Sequence, residues 1–279
     1  MKTVSKGFAA NGKTRTFYDA LWTWYDRSGR HELPWRQPEA DGMFDPYKIL
    51  VSEIMLQQTQ VARVITKYHQ FLLRFPKVLI LAQAELGDVL RLWQGLGYNR
   101  RAKYLWQAAQ IIQAHGAFPA SEAALVALPG VGKNTAGAVR AYAYNQPAIF
   151  IETNIRTVYL HHFFRDCQNV SDNAIRDVLT QTIDQARPRE FYWAVMDYGS
   201  HLKTTLGNIN TASKHYVKQS AFQGSRRQLR GRILRELGNH AYTKTDLITM
   251  INDERATEVL YQLHTEGLIR HEDNRYTLG

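Results

Sequence analysis

Cysteine is almost absent: Cys167 is the single one in 279 residues. That excludes an internal disulfide and any cluster held by several thiolates of one chain. No apolar run approaches the roughly 18 residues a membrane span needs. The opening MKTVSKGFAANGKTRTFYDALWTWY is basic but lacks the apolar stretch and small-residue cleavage site of a secretory signal. Acidic side chains are the minority, 25 Asp and Glu against 35 Lys and Arg, for a formal charge of +10. Such an excess favours a polyanionic partner, and the aromatic content argues against a disordered basic tail. Alternating strand patterns are missing before about residue 265, so the main body reads as all-α. The expectation is a cytoplasmic, nucleoid-associated protein that meets nucleic acid and no membrane.

What is present is organised around PYKILVSEIMLQQTQ, residues 46–60. Ile49, Leu50, Val51, Ile54, Met55 and Leu56 give this helix a broad apolar surface around one acid, Glu53. Desolvation among aliphatics would raise the pKa of that acid and suit it to proton donation. A solvent-facing Glu on an amphipathic helix is the plainer meaning. Gln57 and Gln58 follow directly. Before them, the proline-rich loop 31–46 carries Trp35 and Arg36, either a stacking group and a phosphate contact or an anchor of the loop to the core.

Residues 16–28 and 61–75 read as helices, and two more flank the Gly95-Leu96-Gly97 turn. LPGVGKNTAGAV, residues 128–139, has the form helix, hairpin, helix. Gly130, Val131 and Gly132 let backbone approach a phosphate, the next helix aims its N–H groups outward, and Lys133 adds charge. Many helical proteins have a glycine-rich turn; the whole motif is more restrictive. Glu152 follows an apolar run in AIFIETNIRTV, where it is either a carboxylate favoured by a helix dipole or the second acid of a pair with Glu53. Further helices are expected at 155–164, 171–186 and 189–202.

From Tyr198 to Arg235 there is no acid but eight Lys and Arg, among them Lys203, Lys214, Lys218, Arg226 and Arg227. One-sided charge over this length reads as a phosphate-tracking surface, with 203–225 a linker or arm. Residues 226–279 read as three helices and a hairpin tipped by Asp273-Asn274, the winged-helix pattern. Its third helix would normally face DNA. Here Glu254, Glu258 and Glu266 accompany only Arg255, so packing or protein docking fits as well. His161-His162 lacks partners at ligand spacing, and no metal site is assigned.

LPWR, DPYKILVSEIMLQQTQV, LWQGLGYNRRAKYL and LPGVGKNTAGAV, in this order, resemble the helix-hairpin-helix (HhH-GPD) DNA glycosylases. Within them they are most similar to the MutY-like adenine DNA glycosylases, over about residues 33–199. The resemblance implies a two-lobed, all-α glycosylase domain at 1–202. One lobe would span 31–145 with the hairpin, and 1–30 plus 150–202 would form the other. It further implies that Glu53 protonates a flipped purine and activates water, while Glu152 stabilises a cationic sugar. Gln57, Gln58, Trp35, Arg36, Tyr98, Asn99 and Asn134 would line the base pocket or DNA interface. Two carboxylates in different environments suffice for this hydrolysis once the base leaves the stack. The implied partner is double-stranded DNA with a mispaired or damaged base, met by a monomer. A metal ion bridging the hairpin carbonyls to a phosphate is allowed by resemblance only.

Four departures bear on function. Glu152 stands where the family has Asp, moving the carboxylate by about 1.5 Å, where about 1 Å can cost 100-fold. Asn134 replaces the Schiff-base Lys of bifunctional relatives such as endonuclease III, so strong strand cleavage is not expected. The family's four cluster cysteines fall at Lys203, Asn210, Ser213 and Gln219, so no iron–sulfur cluster is expected. The last module is too short for the nudix-like domain that senses 8-oxoguanine, and Asn99 replaces the second Tyr of GLGYY. The expectation is a monofunctional glycosylase removing adenine opposite 8-oxoguanine or G. A thymine, uracil or damaged-pyrimidine glycosylase and a non-catalytic DNA-binding or damage-sensing protein are the alternatives.

Overall fold

The computed structural model describes residues 12–217 and 221–279. Its helices are α1 (Gly12–Ser28), α2 (Pro46–Leu56), α3 (Val61–Arg74), α4 (Val78–Ala82), α5 (Leu86–Trp93), α6 (Arg100–His115) and α7 (Glu122–Val126). They continue as α8 (Lys133–Tyr144), α9 (Thr153–Phe163), α10 (Asp172–Thr182), α11 (Pro188–Leu206), α12 (Arg226–Asn239), α13 (Lys244–Ile251) and α14 (Ala256–Thr265). β1 (Ile269–Glu272) and β2 (Arg275–Leu278) form an antiparallel hairpin. The all-α main body and the terminal hairpin are therefore as expected.

Local chemistry sets the helix ends. Ser171, Ser225 and Thr243 each accept the backbone N–H three residues on, capping α10, α12 and α13. The helix expected over 171–186 stops at Thr182, because Asp184 takes the N–H groups of Ala186 and Arg187. Pro188 then opens α11 at a position that needs no N–H. Asp273 and Asn274 both have positive φ, the requirement of a two-residue hairpin turn.

The chain divides into two compact units, Met1–Pro46 with Ala120–Glu122 and Gly132–Lys218, and Tyr47–Pro119 with Ala123–Val131 and Gln219–Gly279. Residues 31–46 and 132–145 thus sit in the first unit, not with the lobe expected at 31–145. Packing of α8 on α11 explains the second transfer. Residues 1–11 lie outside the described residues.

The first unit is built on α11, which packs against α1, α8 and α9. Tyr192 stacks on Phe150 with centroids 4.2 Å apart, and Tyr159 is bonded to Thr182 at 2.6 Å. Midway along α11, buried Asp197 accepts two bonds from Arg36 (2.7 and 2.8 Å) and two from Arg30, through Nε and the backbone N–H, at 2.7 Å. Trp35 and Arg36 are each 6% exposed. Trp35 thus anchors the loop to the core, and the Arg36 guanidinium is held in a buried ion pair. Desolvation acts to raise the Asp197 pKa, but the Arg36 bonds and the charges of Arg36 and Arg30 outweigh it and lower it. A depressed carboxyl contributes stability above its unfolded pKa and loses it as pH falls through the folded one. Asp197→Asn should therefore cost about 3 kcal/mol near neutral pH. The gap in melting temperature from wild type should close as the pH drops through the acid range.

The arm expected at 203–225 is only partly an arm. α11 runs to Leu206, and a 3-10 turn, Ile209–Ala212, follows. Asn210 Nδ2 donates to Thr157 Oγ1 at 2.7 Å, and Val170 pairs with Ser213. These bonds fasten the segment to α9 and to the strand-like residue ahead of α10, long-range pairings that composition did not show.

In the second unit α4 and α5 lie against α6, with Trp93 fully buried. Tyr47 at the head of α2 donates to the Phe75 carbonyl at 2.7 Å. α12 packs on α5, so the winged-helix-like module belongs to this unit.

Candidate active site

Glu53 is half-buried near the end of α2, between Ser52 and Ile54, with Ile49, Leu50, Val51, Ile54 and Met55 all buried. The apolar surface read from the sequence is therefore the core face of α2. Beyond the helix the chain turns sharply: Gln57 is half-buried, and exposed Gln58 has φ +56°. Positive φ outside glycine is uncommon and strained. Tyr98 repeats the feature at φ +47°, 41% exposed, and Asn99 sits at the N-cap of α6.

The residue that joins these two turns was not singled out in the sequence. Arg101 is 8% exposed. Its Nη1 donates to the carbonyls of Ile54 (2.8 Å), Met55 (3.0 Å) and Gln57, closing the C-terminal end of α2. Its Nη2 donates to Thr59 Oγ1 (3.2 Å) and the carbonyls of Leu96 (3.0 Å) and Gly97 (2.9 Å). Burial lowers its pKa to about 10, leaving it cationic at neutral pH. In the sequence it is one of two adjacent arginines after a glycine turn, which looks like phosphate binding. Its burial depends on carbonyls more than forty residues away.

The hairpin passes from the second unit to the first between Val131 and Gly132. Gly130 has φ +75°, and a Cβ there would lie 2.8 Å from Tyr104 Cβ, so both conformation and space demand glycine. Val131 is buried, Gly132 caps α8, and Lys133 is exposed. The next residue, Asn134, donates from Nδ2 to the Ile151 carbonyl at 2.8 Å and accepts the Ile151 N–H at 3.4 Å. It thus holds the extended segment one residue before Glu152.

Glu152 belongs to the first unit, Glu53 to the second. Glu152 is the N-cap residue of α9 and retains some exposed surface, yet is set deep enough that desolvation raises its carboxyl pKa. The backbone beside it leaves no slack: a Cβ on Gly199 would fall 2.2 Å from the Asn154 carbonyl oxygen. Gly199 is where α11 meets the first turn of α9.

Lys203 and Lys214 are exposed in the first unit, and Lys218 lies outside the described residues. Arg226 ion-pairs with Glu258 of α14, and Arg227 donates to the Tyr98 hydroxyl at 2.6 Å. Of the places where the resemblance would put cluster ligands, Lys203, Asn210 and Ser213 offer no thiolate, and Gln219 is outside the described residues. Among the described residues no three His, Cys, Asp or Glu gather to hold a metal ion. His162 is packed on Phe17 and Tyr198, and burial and His161 lower its pKa to about 4. No helix among the described residues is long and apolar enough to cross a membrane.

Comparison with known proteins bears directly on this arrangement. The family described as HhH-GPD superfamily base excision DNA repair protein matches residues 51–180. An adenine DNA glycosylase of Mycobacterium tuberculosis is 32% identical over 284 residues, covering 92% of both chains. The chain belongs to the adenine DNA glycosylase family of the HhH-GPD superfamily. Another family member, from Buchnera aphidicola, is 35% identical over 75% of this chain, which spans 61% of that relative. The mouse relative is 34% identical over 78% of the chain, which covers 43% of it. Of solved structures, a thermostable thymine-DNA glycosylase aligns with TM-score 0.59 at 24% identity, over 69% of this chain and 88% of that one. A trapped endonuclease III–DNA intermediate aligns with TM-score 0.57 at 18% identity, over the same shares. Both establish the fold.

Proposed function

We propose that this family member is a monofunctional DNA glycosylase acting as a monomer on duplex DNA, releasing adenine mispaired with 8-oxoguanine or guanine. The observation that carries this reading is the 92% mutual coverage with the mycobacterial adenine DNA glycosylase. Glu53 gives its proton to the everted adenine as the bond from the base nitrogen to C1′ of the sugar breaks. Water then adds at C1′, and its proton returns to Glu53. Glu152, ionised, opposes the positive charge that the sugar carries in between. At the head of α9 the helix dipole favours that carboxylate, and poor solvation leaves it free to respond to a developing cation.

Burial raises the Glu152 pKa, so the protonated, uncharged form extends to higher pH than for an ordinary Glu. Single-turnover base release should therefore fall on the acid side as pH drops through this raised value. Rates measured across pH 4–8 check it; a profile flat through the acid limb contradicts the role. Asn134 is a positioning residue here. Asn134→Leu, which removes both bonds to Ile151, should slow base release about tenfold, a fraction of what about 1 Å of misplacement can cost. Having no amine, Asn134 also forms no borohydride-trapped adduct with DNA. The residues at the cluster positions do not fit an iron–sulfur centre, and the purified protein should show no visible absorption. The deciding test is a panel of duplexes each with one mispair. Adenine released opposite 8-oxoguanine and guanine supports the reading. Release of thymine or uracil instead would move it to another base, and binding without release would make it a damage sensor.

A further inference from the structure

The terminal module is not tethered but fastened. Glu266, just past α14, receives Arg100 of α6 at 2.6 Å and Arg230 of α12, while Lys103 Nζ donates to its backbone carbonyl. Arg91 Nε of α5 donates to the Gly238 carbonyl at 3.1 Å. Two of the acids that made α14 a poor groove reader, Glu266 and Glu258, are spent on these contacts and on Arg226. Between α12 and the two strained turns at Gln58 and Tyr98 runs a groove of about 900 Å³, wholly within the second unit.

Its charge is one-sided. Arg63, Arg227, Arg232, Arg235 and Arg255 line it, against one carboxylate, Asp253, which Arg255 holds at 2.7 Å. Arg63 and Arg235 are exposed. Planar guanidiniums converging from both walls suit phosphate oxygens, and the wall also offers amides and the exposed Tyr98 ring for sugars and bases. A flat basic face would be read as solvated charge; here the charges meet across a concave surface.

We propose that this groove holds the sugar–phosphate backbone of the DNA next to the everted base. The module thus enlarges the DNA-binding surface through α12, not through its third helix. The inference rests on the proposed glycosylase reading for its ligand, but its test is separate. Binding of a duplex containing a stable abasic analogue is measured by fluorescence anisotropy over a series of salt concentrations. Arg63→Gln combined with Arg235→Gln should weaken binding about tenfold or more at 0.1 M salt and reduce the salt slope by about two. The pair Arg63→Lys and Arg235→Lys, which keeps the charge, should restore most of the slope. An unchanged affinity and slope in the folded Gln double variant, checked by circular dichroism, overturns the proposal even if wild type releases adenine. Loss of polyglutamate binding without loss of duplex binding overturns it too, and points to an acidic protein segment. If wild type releases no base but its duplex binding still depends on these arginines, the groove stands and the glycosylase reading falls.

Discussion

Glu53→Gln is expected to slow single-turnover adenine release by about 10²–10⁴-fold. The amide matches the acid in shape, so α2 keeps its packing, and the melting temperature should stay within a degree or two of wild type. What it lacks is a proton of useful acidity, and without one the base must leave as an anion. At about 1.4 kcal/mol per factor of ten, the loss corresponds to roughly 3–5.5 kcal/mol of transition-state stabilisation. Affinity for the duplex should change little, because the backbone of the DNA is gripped by charge elsewhere. Glu53→Asp gives a second reading of the same site. It retains the acid but withdraws it by about 1.5 Å, and should cost about 100-fold. Release by Glu53→Gln at the wild-type rate would remove Glu53 from the chemistry and leave the chain a binder.

The parts of this protein that were legible in the sequence are those whose signal is local. Six aliphatics at helical spacing around Glu53 gave α2, and five of them form its core face. Asp273-Asn274 between two short runs gave the hairpin, since few residue pairs tolerate the φ values such a turn needs. What stayed hidden depends on partners distant in the chain. Arg36 and Arg101, each in a basic, turn-rich stretch, resemble phosphate ligands until Asp197 and the carbonyls of α2 are seen to hold them. Glu258 and Glu266 looked like defects in a DNA-reading helix; Glu258 pairs with Arg226 inside the module, and Glu266 pairs with Arg230 and with Arg100 of α6, which seats the module. The raised pKa of Glu152 follows from burial of its segment, which Asn134 and Gly199 secure from two other helices. In each case residue type was informative about charge and silent about where the charge was spent.

Arg101→Met should be the most destabilising single change in the second unit, at about 4–5 kcal/mol, within the range for breaking a buried, charged network. Methionine fills much of the volume and keeps contact with Trp93, so the loss reports the guanidinium itself. Five carbonyls and the Thr59 hydroxyl lose their donor together, and water cannot reach all of them at a site 8% exposed. Arg101→Lys should recover less than half of this. One ammonium has three donors at a single point, whereas the guanidinium divides its bonds between the end of α2 and the Leu96–Gly97 turn. Urea unfolding of the three proteins measures the series. The functional consequence follows from which turns come loose, since they carry Gln58 and Tyr98 on strained backbone. In the Lys variant, assayed where it remains folded, duplex affinity should fall about tenfold. If Arg101→Met unfolded at the wild-type urea midpoint, the two turns would be held by their own backbones, and the strain at Gln58 and Tyr98 would need another source.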